Sequence, residues 1–491
     1  MIEDISRLIK HSGLYGLGII LSKCIGFLMI PVYTRYLSPA DFGVLELLDM
    51  IIFFATSFAA MGIYGAVFRF HSAYDTVQEK KEVISTALLC VAGGSLLWSV
   101  VIILGAPTIA RGVFGSTAFA PLVRIVALTF FFSNLCEVPL AYWRAEGRTK
   151  LFVFVGLGRT LLGALALAYS LVIAKAGLQG AVYANCLTSA IGGLTLFGVV
   201  LSGIPKRIIA DKLRPMLAYG IPVVAWDITM FVLTFSDRFF LRYYASLTEV
   251  GVYGLGYKLA GVVALIVNVP FLTAWQWQQF DLAKRENAKQ IYAKVETYLL
   301  VASIAVGLAV AVLAKDVLRI LTPPGYWAAA RVVPLIALSY IVSNVRQVVV
   351  TGILIRQATY YLTVIAASCA VANLALNFIF IPRYRAMGAA VATVVTFALL
   401  LFLCFAAAQR IYPVPYEYGR NALVLGWATL VYLLSLVPSL GLIGSIVMHM
   451  LVLTLFYVGC FWLLDPQDRG TFQKLGLAFV QDLRRGWVRA E

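Results

Sequence analysis

Histidine and paired cysteine are the most evident absences from this chain. The three histidines, His11, His71 and His449, stand far apart, and the seven cysteines lie singly within apolar runs. No two cysteines form a CxxC pair, so they read as small apolar residues rather than disulfides or metal ligands. No metal site or other cofactor is expected. Charge is scarce too, with 13% of the 491 residues being Asp, Glu, Lys or Arg, against about 25% in a soluble domain. Carboxylates are fewer than bases, 23 against 39. The surplus of bases has no soluble basic domain to sit on, which argues against nucleic acid as a partner. A GxxxxGK[ST] loop for ATP phosphates is also missing.

Apolar sequence is abundant instead. The chain is 62% hydrophobic, its mean hydropathy is +0.90, and runs of about 20 residues recur, each able to cross the hydrocarbon core as a helix. An all-α polytopic membrane protein with about fourteen transmembrane helices is expected. They fall near residues 12–34, 42–68, 83–106, 121–143, 151–173, 178–200, 216–241, 250–275, 291–313, 331–353, 360–381, 388–408, 420–438 and 441–464. The opening MIEDISRLIKHSG carries acids as well as bases, and the run from Leu14 to Val32 is too long for a signal-peptide core. It reads as an amphipathic lead-in to the first span. With the N-terminus cytoplasmic, cytoplasmic segments collect about 24 of the 39 bases and outer loops about 8. The expected orientation is N-terminus and C-terminus both cytoplasmic. The last stretch puts Phe472, Leu475, Phe479, Leu483 and Trp487 on one helical stripe, with Lys474, Arg484 and Arg485 on other faces. Such a helix suits the surface of anionic membrane lipids.

The sequence repeats itself. Ser38-Pro-Ala-Asp41 is echoed by Ser246-Leu-Thr-Glu249, and both run on into a Gly-Val pair, Gly43-Val44 and Gly251-Val252. ALTFFFSN (127–134) returns as ALSYIVSN (337–344), and QGAVYAN (179–185) as MGAAVAT (387–393), at nearly the same offset. A duplicated unit of six spans returns the chain to its starting side. The two copies are therefore expected as lobes related by a pseudo-two-fold along the membrane normal, with a shared cavity between them. The expected division is residues 1–205 for the first lobe, 206–412 for the second, 413–464 for two extra spans and 465–491 for the tail. Each repeated turn has the form of a helix start, with Ser38 or Ser246 as cap and Asp41 or Glu249 closing a capping box. Substrate binding by these carboxylates is the competing reading.

Bases inside the spans are the candidates for function, because an intramembrane charge costs about 2.5–3.5 kcal/mol on a mild insertion scale. The bases are Lys23, Arg124, Arg159, Arg238, Lys258, Arg331 and Arg346; the acids are Glu46, Asp49, Glu137, Asp227 and Asp237. Lys23 and Asp49 lie about 15–20 Å below the turn joining spans 1 and 2, at 1.5 Å per residue. Asp227 and Lys258 lie at comparable depth in spans 7 and 8. The repeat maps Asp49 next to Lys258 and Lys23 one turn from Asp227, which suggests a charge pair of reversed polarity in the two lobes. Two readings fit: a salt bridge tying adjacent helices, or a cavity-lining pair that exchanges partners with substrate. Arg124 and Arg331 can snorkel to headgroups, whereas Arg159 and Arg346 are deeper. Arg35, Arg238 and Arg242 cluster by count at the outer rim of spans 1 and 7, where a planar guanidinium suits phosphate or carboxylate. Together these bases predict a cationic cavity and an anionic substrate. Pro31, Pro222 and Pro270 fall in or near spans 1, 7 and 8, where kinks would suit gating, although membrane helices tolerate proline for other reasons.

The stretch SGLYGLGIILSKCIGFLMIPVYTRYLSPADFGVLELL (residues 12–48) resembles the start of polysaccharide and O-antigen flippases. These form the Wzx-like, polysaccharide-transport branch of the multidrug/oligosaccharidyl-lipid/polysaccharide (MOP) exporter superfamily. The resemblance extends over the whole length and implies a non-enzymatic carrier in the bacterial cytoplasmic (inner) membrane. Its implied substrate is an undecaprenyl-diphosphate-linked oligosaccharide, moved from the cytoplasmic to the outer leaflet by alternating access. It also implies that bases on spans 1, 2, 7 and 8 line the cavity; here those spans supply Lys23, Arg35, Arg238, Arg242 and Lys258. A coupling ion, H+ or Na+, and a polysaccharide polymerase complex are further implied partners. A cation-coupled multidrug antiporter of the same superfamily is the alternative within the fold, opposed by the surplus of bases. A membrane glycosyltransferase or polymerase is a more distant alternative, opposed by the shortness of the outer loops.

Overall fold

The computed structural model describes Gly18, residues 20–437 and residues 441–463; no strand occurs among the described residues. The amphipathic tail expected over 465–491 and the lead-in before Gly18 lie outside them. Residues 20–28 are helical and continue beyond Met29 as α1 (Ile30–Tyr36). α2 (Pro39–Ala60) breaks at Met61 and Gly62, both with positive φ, and resumes as α3 (Ile63–Ala73). Then follow α4 (Val77–Phe114), α5 (Ala120–Ala145), α6 (Thr149–Ala168) and α7 (Gly177–Ser202). The second half holds α8 (Ala210–Tyr244), α9 (Leu247–Ala260), α10 (Val269–Leu282) and α11 (Ala288–Leu321). A 3-10 segment, Pro324–Arg331, precedes α12 (Val333–Val349) and α13 (Thr351–Ile355). Last come α14 (Tyr360–Ile411), α15 (Tyr418–Ser435) and α16 (Gly441–Leu463).

Among the described residues, eleven helical stretches are long and apolar enough to cross a membrane. One of them, α14, contains two of the expected spans. Arg385 leaves helical geometry (φ 49°, ψ −129°), and the chain doubles back so that Asn373 Nδ2 donates to Thr396 Oγ1 at 3.0 Å. Residues 20–36 and Tyr418–Ser435 are the two shorter helices that complete the expected set.

The repeated turns fold as helix starts. Asp41 N–H donates to Ser38 Oγ at 3.2 Å, Ser38 N–H donates to Asp41 Oδ2 at 3.1 Å, and Pro39 takes the first helical position. Ser246 Oγ likewise accepts from Glu249 N–H at 3.2 Å. These contacts satisfy backbone donors that the first turn of a helix leaves unpaired.

Helices α2, α4, α5 and α7 pack into one bundle, with α6 outermost. A second bundle is built from α9, α11, α12 and α14, with α8 along α14. Helices α15 and α16 pair with each other and lie against α11. The bundles meet where α2 crosses α9. Here the Gly-Val echo acquires a physical meaning. A Cβ on Gly43 would run into the carbonyl oxygen of Leu247, and one on Gly251 into that of Pro39. Two glycines thus let the backbones approach more closely than any side chain permits. At the opposite end Gly62 (φ 66°) abuts Gly220 of α8, so the bundles touch at both ends.

Replacing either crossing glycine by alanine should lower the thermal midpoint of the detergent-purified protein by roughly 5 °C or more. Gly93→Ala, whose Cβ meets nothing within 4 Å, should leave it unchanged or slightly raised. Equal midpoints for Gly43→Ala, Gly251→Ala and Gly93→Ala would contradict the close crossing.

Candidate functional site

Glu46 follows Gly43 by about one helical turn, so it leaves α2 on the face that crosses α9. Across the crossing, α9 presents Gly254 and, one turn on, Lys258; α8 presents Arg238. Gly254 makes room for the carboxylate, since a Cβ there would stand 2.7 Å from Glu46 Cδ. Glu46 Oε1 lies 2.6 Å from Lys258 Nζ, and Oε2 lies 3.6 Å from Arg238 Nε. One carboxylate therefore holds two cations of the other bundle.

Arg238 is held from behind as well. Its Nη1 donates to Asp237 Oδ1 at 3.1 Å and to the Thr234 carbonyl at 2.9 Å. Tyr253 OH donates to Asp237 Oδ2 at 2.5 Å, and the guanidinium stacks 4.4 Å from the centroid of Tyr257. Glu46, Asp237 and Arg238 are only 7%, 3% and 3% exposed. Charges buried so deeply persist only when each has a partner. Lys258 differs: 46% of its side chain is exposed, with the ammonium 4.5 Å from the Phe42 ring centroid.

This network forms one wall of a cavity of about 680 Å³ between the bundles. Lys23, Phe27 and Tyr33 line it from the first span, Asp49 and Phe53 from α2, and Tyr257, Lys258 and Gly261 from the α9 region. Lys23 and Asp49 are both exposed and make no ion pair among the described residues. The charged lining residues are three bases and two acids, so the positive surplus is a single charge, smaller than the number of intramembrane bases implies. Beyond Gly261 the wall helix passes through a π-helical turn over Ala264–Asn268 and then Pro270 at the start of α10. Both are features at which helices bend.

The cavity brings together Lys23, Asp49, Arg238 and Lys258 of the residues singled out from sequence. It does not include the others. Arg159 lines a separate recess of about 370 Å³ with Ser22, Thr188 and Ser189. Arg242 donates from Nε to the Phe114 carbonyl at 3.1 Å and lines a recess with Arg111 and Tyr243. Arg35 is exposed at the last turn of α1, Asp227 is half-buried in α8, and Arg346 of α12 lies against Cys404 of α14. The partner of Lys258 is Glu46 rather than Asp227. Counting depth along one hairpin compares residues within a lobe, whereas the α2–α9 crossing delivers the carboxylate from the other one. Glu46, Asp237, Tyr253 and Tyr257 were not identified as site residues from sequence. The signal for Glu46 is its spacing of one turn from the repeated glycine.

Glu46→Gln leaves two cations facing each other across a buried gap and should cost about 3 kcal/mol of stability. Asp49→Asn, which breaks no ion pair, should change stability by less than about 0.5 kcal/mol. Thermal or denaturant unfolding of the purified variants checks this, and equal losses would contradict the assigned pairing.

Residues 8–275 match the family described as polysaccharide biosynthesis protein. Over 170 residues the chain is 29% identical to the "Lipid III flippase" of Escherichia coli (strain K12) and to that of Shigella flexneri. That stretch is 34% of this chain and 40% of each relative, so the chain spans less than half the length of the curated relatives it matches. Among solved structures, it superposes on the Lipid II flippase MurJ in an inward closed conformation with a TM-score of 0.73. The identity there is 13%, over 90% of this chain and 98% of that one. It also superposes on an inward-facing multidrug resistance MATE family transporter of the MOP superfamily with a TM-score of 0.65, at 14% identity over 79% of this chain and 94% of that one. Identities this low establish the fold, and the family match covers more than half of the sequence. The chain is a multi-pass membrane protein with the MOP superfamily fold, and it belongs to the polysaccharide biosynthesis protein family.

Proposed function

We propose that the chain is a flippase that carries an undecaprenyl-diphosphate-linked oligosaccharide from the cytoplasmic to the outer leaflet by alternating access. The observation that carries this reading is the cavity between the bundles, to which Lys23 and Lys258 contribute exposed side chains. A glycan bearing a diphosphate cannot cross about 30 Å of hydrocarbon unaided. A cavity that carries charged groups and opens to one side at a time shields the headgroup while the polyprenyl chain stays in lipid. The family, and the flippase activity for which the relatives in Escherichia coli and Shigella flexneri are named, support the same class of cargo.

The Lys/Arg bias along the sequence puts both termini in the cytoplasm, which makes the Ser38 and Ser246 turns the outer end. Lys23, Asp49, Arg238 and Lys258 are then the residues that meet the headgroup at mid-depth. Glu46 competes with the diphosphate for Lys258. An incoming diphosphate takes the ammonium from the carboxylate, and its departure returns it, which gives the two bundles a reason to move. Arg159 and its hydroxyl-lined recess extend the polar surface beside the first span, and Arg35 and Arg242 stand toward the outer end. Asp227 and Arg346 lie apart from this path. The bend over 264–270 supplies a hinge in the cavity wall. An H+ or Na+ gradient is the proposed coupling source, and a polysaccharide polymerase complex the proposed recipient of the glycan.

Lys23→Ala and Lys258→Ala, introduced singly in cells that depend on this chain, should reduce surface polysaccharide at least about tenfold, with unchanged amounts of protein in the membrane. Arg238→Lys should give an intermediate loss, because a point charge replaces a stacked, forked donor. Normal export by all three variants would sink the proposal.

A further inference from the structure

The last carbonyl groups of a helix have no partner within it. Two such groups in the first bundle are satisfied from the second. The carbonyl of Leu37, at the end of α1, accepts from Tyr326 OH at 3.0 Å. The carbonyl of Phe114, in the last turn of α4, accepts from Arg242 Nε at 3.1 Å and from Nη2. The chain after α4 is shaped for the second contact: Gly115 has φ 70°, and a Cβ there would stand 2.5 Å from the guanidinium. A cation at this position also meets the negative end of the α4 dipole.

Both donors lie at the Ser38 and Ser246 end and outside the lining of the central cavity. Tyr326 is 1% exposed and belongs to the 3-10 segment between α11 and α12. Burial and the nearby Asp41 carboxylate hold its phenol well above the ordinary value, so it remains a donor. Its ring meets Phe42 edge-on, 6.0 Å between centroids, and Phe42 in turn meets Tyr33 at 5.9 Å. Phe42 and Tyr33 both line the cavity, so a continuous aromatic contact links this closure to the cavity.

We infer that Arg242 and Tyr326 are the outer latches of the carrier, each closing the cavity by donating to a terminal helix carbonyl of the opposite bundle. The inference rests on the alternating-access reading. Opening the outer end separates α1 and α4 from α8 and the 3-10 segment, and water replaces both donors. That exchange is what makes the latches reversible, because the net worth of a hydrogen bond traded for water is small. The glycine crossing of α2 and α9, by contrast, offers no polar group to exchange. Arg242 is thereby assigned to the gate rather than to the headgroup.

Accessibility of the cavity from outside tests this in the full-length protein. In a Cys24→Ser background, Phe53→Cys places a thiol on the cavity lining, and a membrane-impermeant maleimide is added to intact cells. Arg242→Gln and Tyr326→Phe should each raise the labelling rate about threefold to tenfold, and together by more. Arg111→Ala, in the same recess as Arg242, should leave the rate unchanged. Rates within twofold of the parent for both latch variants, at normal protein levels, overturn the inference. So does an equal rise with Arg111→Ala, which would mark general loosening. Labelling requires no glycan, so failure of the cargo assignment would appear in the export assay and leave this measurement standing.

Discussion

Glu46 sits buried between Lys258 and Arg238, and a carboxylate in that position is tolerable only while a cation remains in reach. Several features converge on keeping it there. The capping turn at Ser38 fixes where α2 begins, Gly43 and Gly251 bring its backbone onto α9, and Gly254 leaves the space the carboxylate occupies. Asp237, held by Tyr253, keeps Arg238 pointed at the same spot. The two bundles are thus joined by backbone contact at both ends and by charge at mid-depth. The charge joint at mid-depth is the one that a bound anion can undo.

On the proposed alternating-access reading, that difference lets one interface be both stable and mobile. Lys258 is the exposed member of the network, and Lys23 lines the same cavity and makes no ion pair among the described residues. A ligand with two negative charges finds two ammonium groups there, while Arg238 stays clamped by Asp237 and stacked on Tyr257. The surplus of one positive charge in the lining is enough for this role, because what matters is which cations are free to change partners. The π-helical turn beyond Gly261 continues the helix that carries Lys258, so on the proposed reading a change of partner at the ammonium acts next to a feature at which helices bend.

Much of this fold is legible from hydropathy and repetition alone. Apolar runs of membrane-spanning length give the helices, and the echo of Ser38–Asp41 at Ser246–Glu249 gives both the helix starts and the duplication. The charged break at Arg383 and Arg385 separates two spans that the backbone nearly fuses into one long helix. The site was legible only in part. Lys23, Asp49, Arg238 and Lys258 stand out because charge in a span is costly, and they do share a cavity. Their pairing was not legible, because depth along a hairpin says nothing about which helix of the other bundle crosses at that depth. The glycines held that information, but as repeat markers they could not show that they touch. Arg242 shows the same limit from the other side: its guanidinium is engaged by a backbone carbonyl, which sequence does not display.

The central claim is that this cavity recognises a diphosphate through the ammonium groups of Lys23 and Lys258, the second of which Glu46 otherwise occupies. Binding of a short polyprenyl-diphosphate-linked sugar to the purified protein, compared with the same sugar on the uncharged polyprenol, tests it most directly. The account predicts at least about tenfold tighter binding of the diphosphate form, equivalent to about 1.4 kcal/mol, and loss of that preference when Lys23 and Lys258 are both replaced by alanine. Equal binding of the charged and uncharged lipids by the unaltered protein would contradict it.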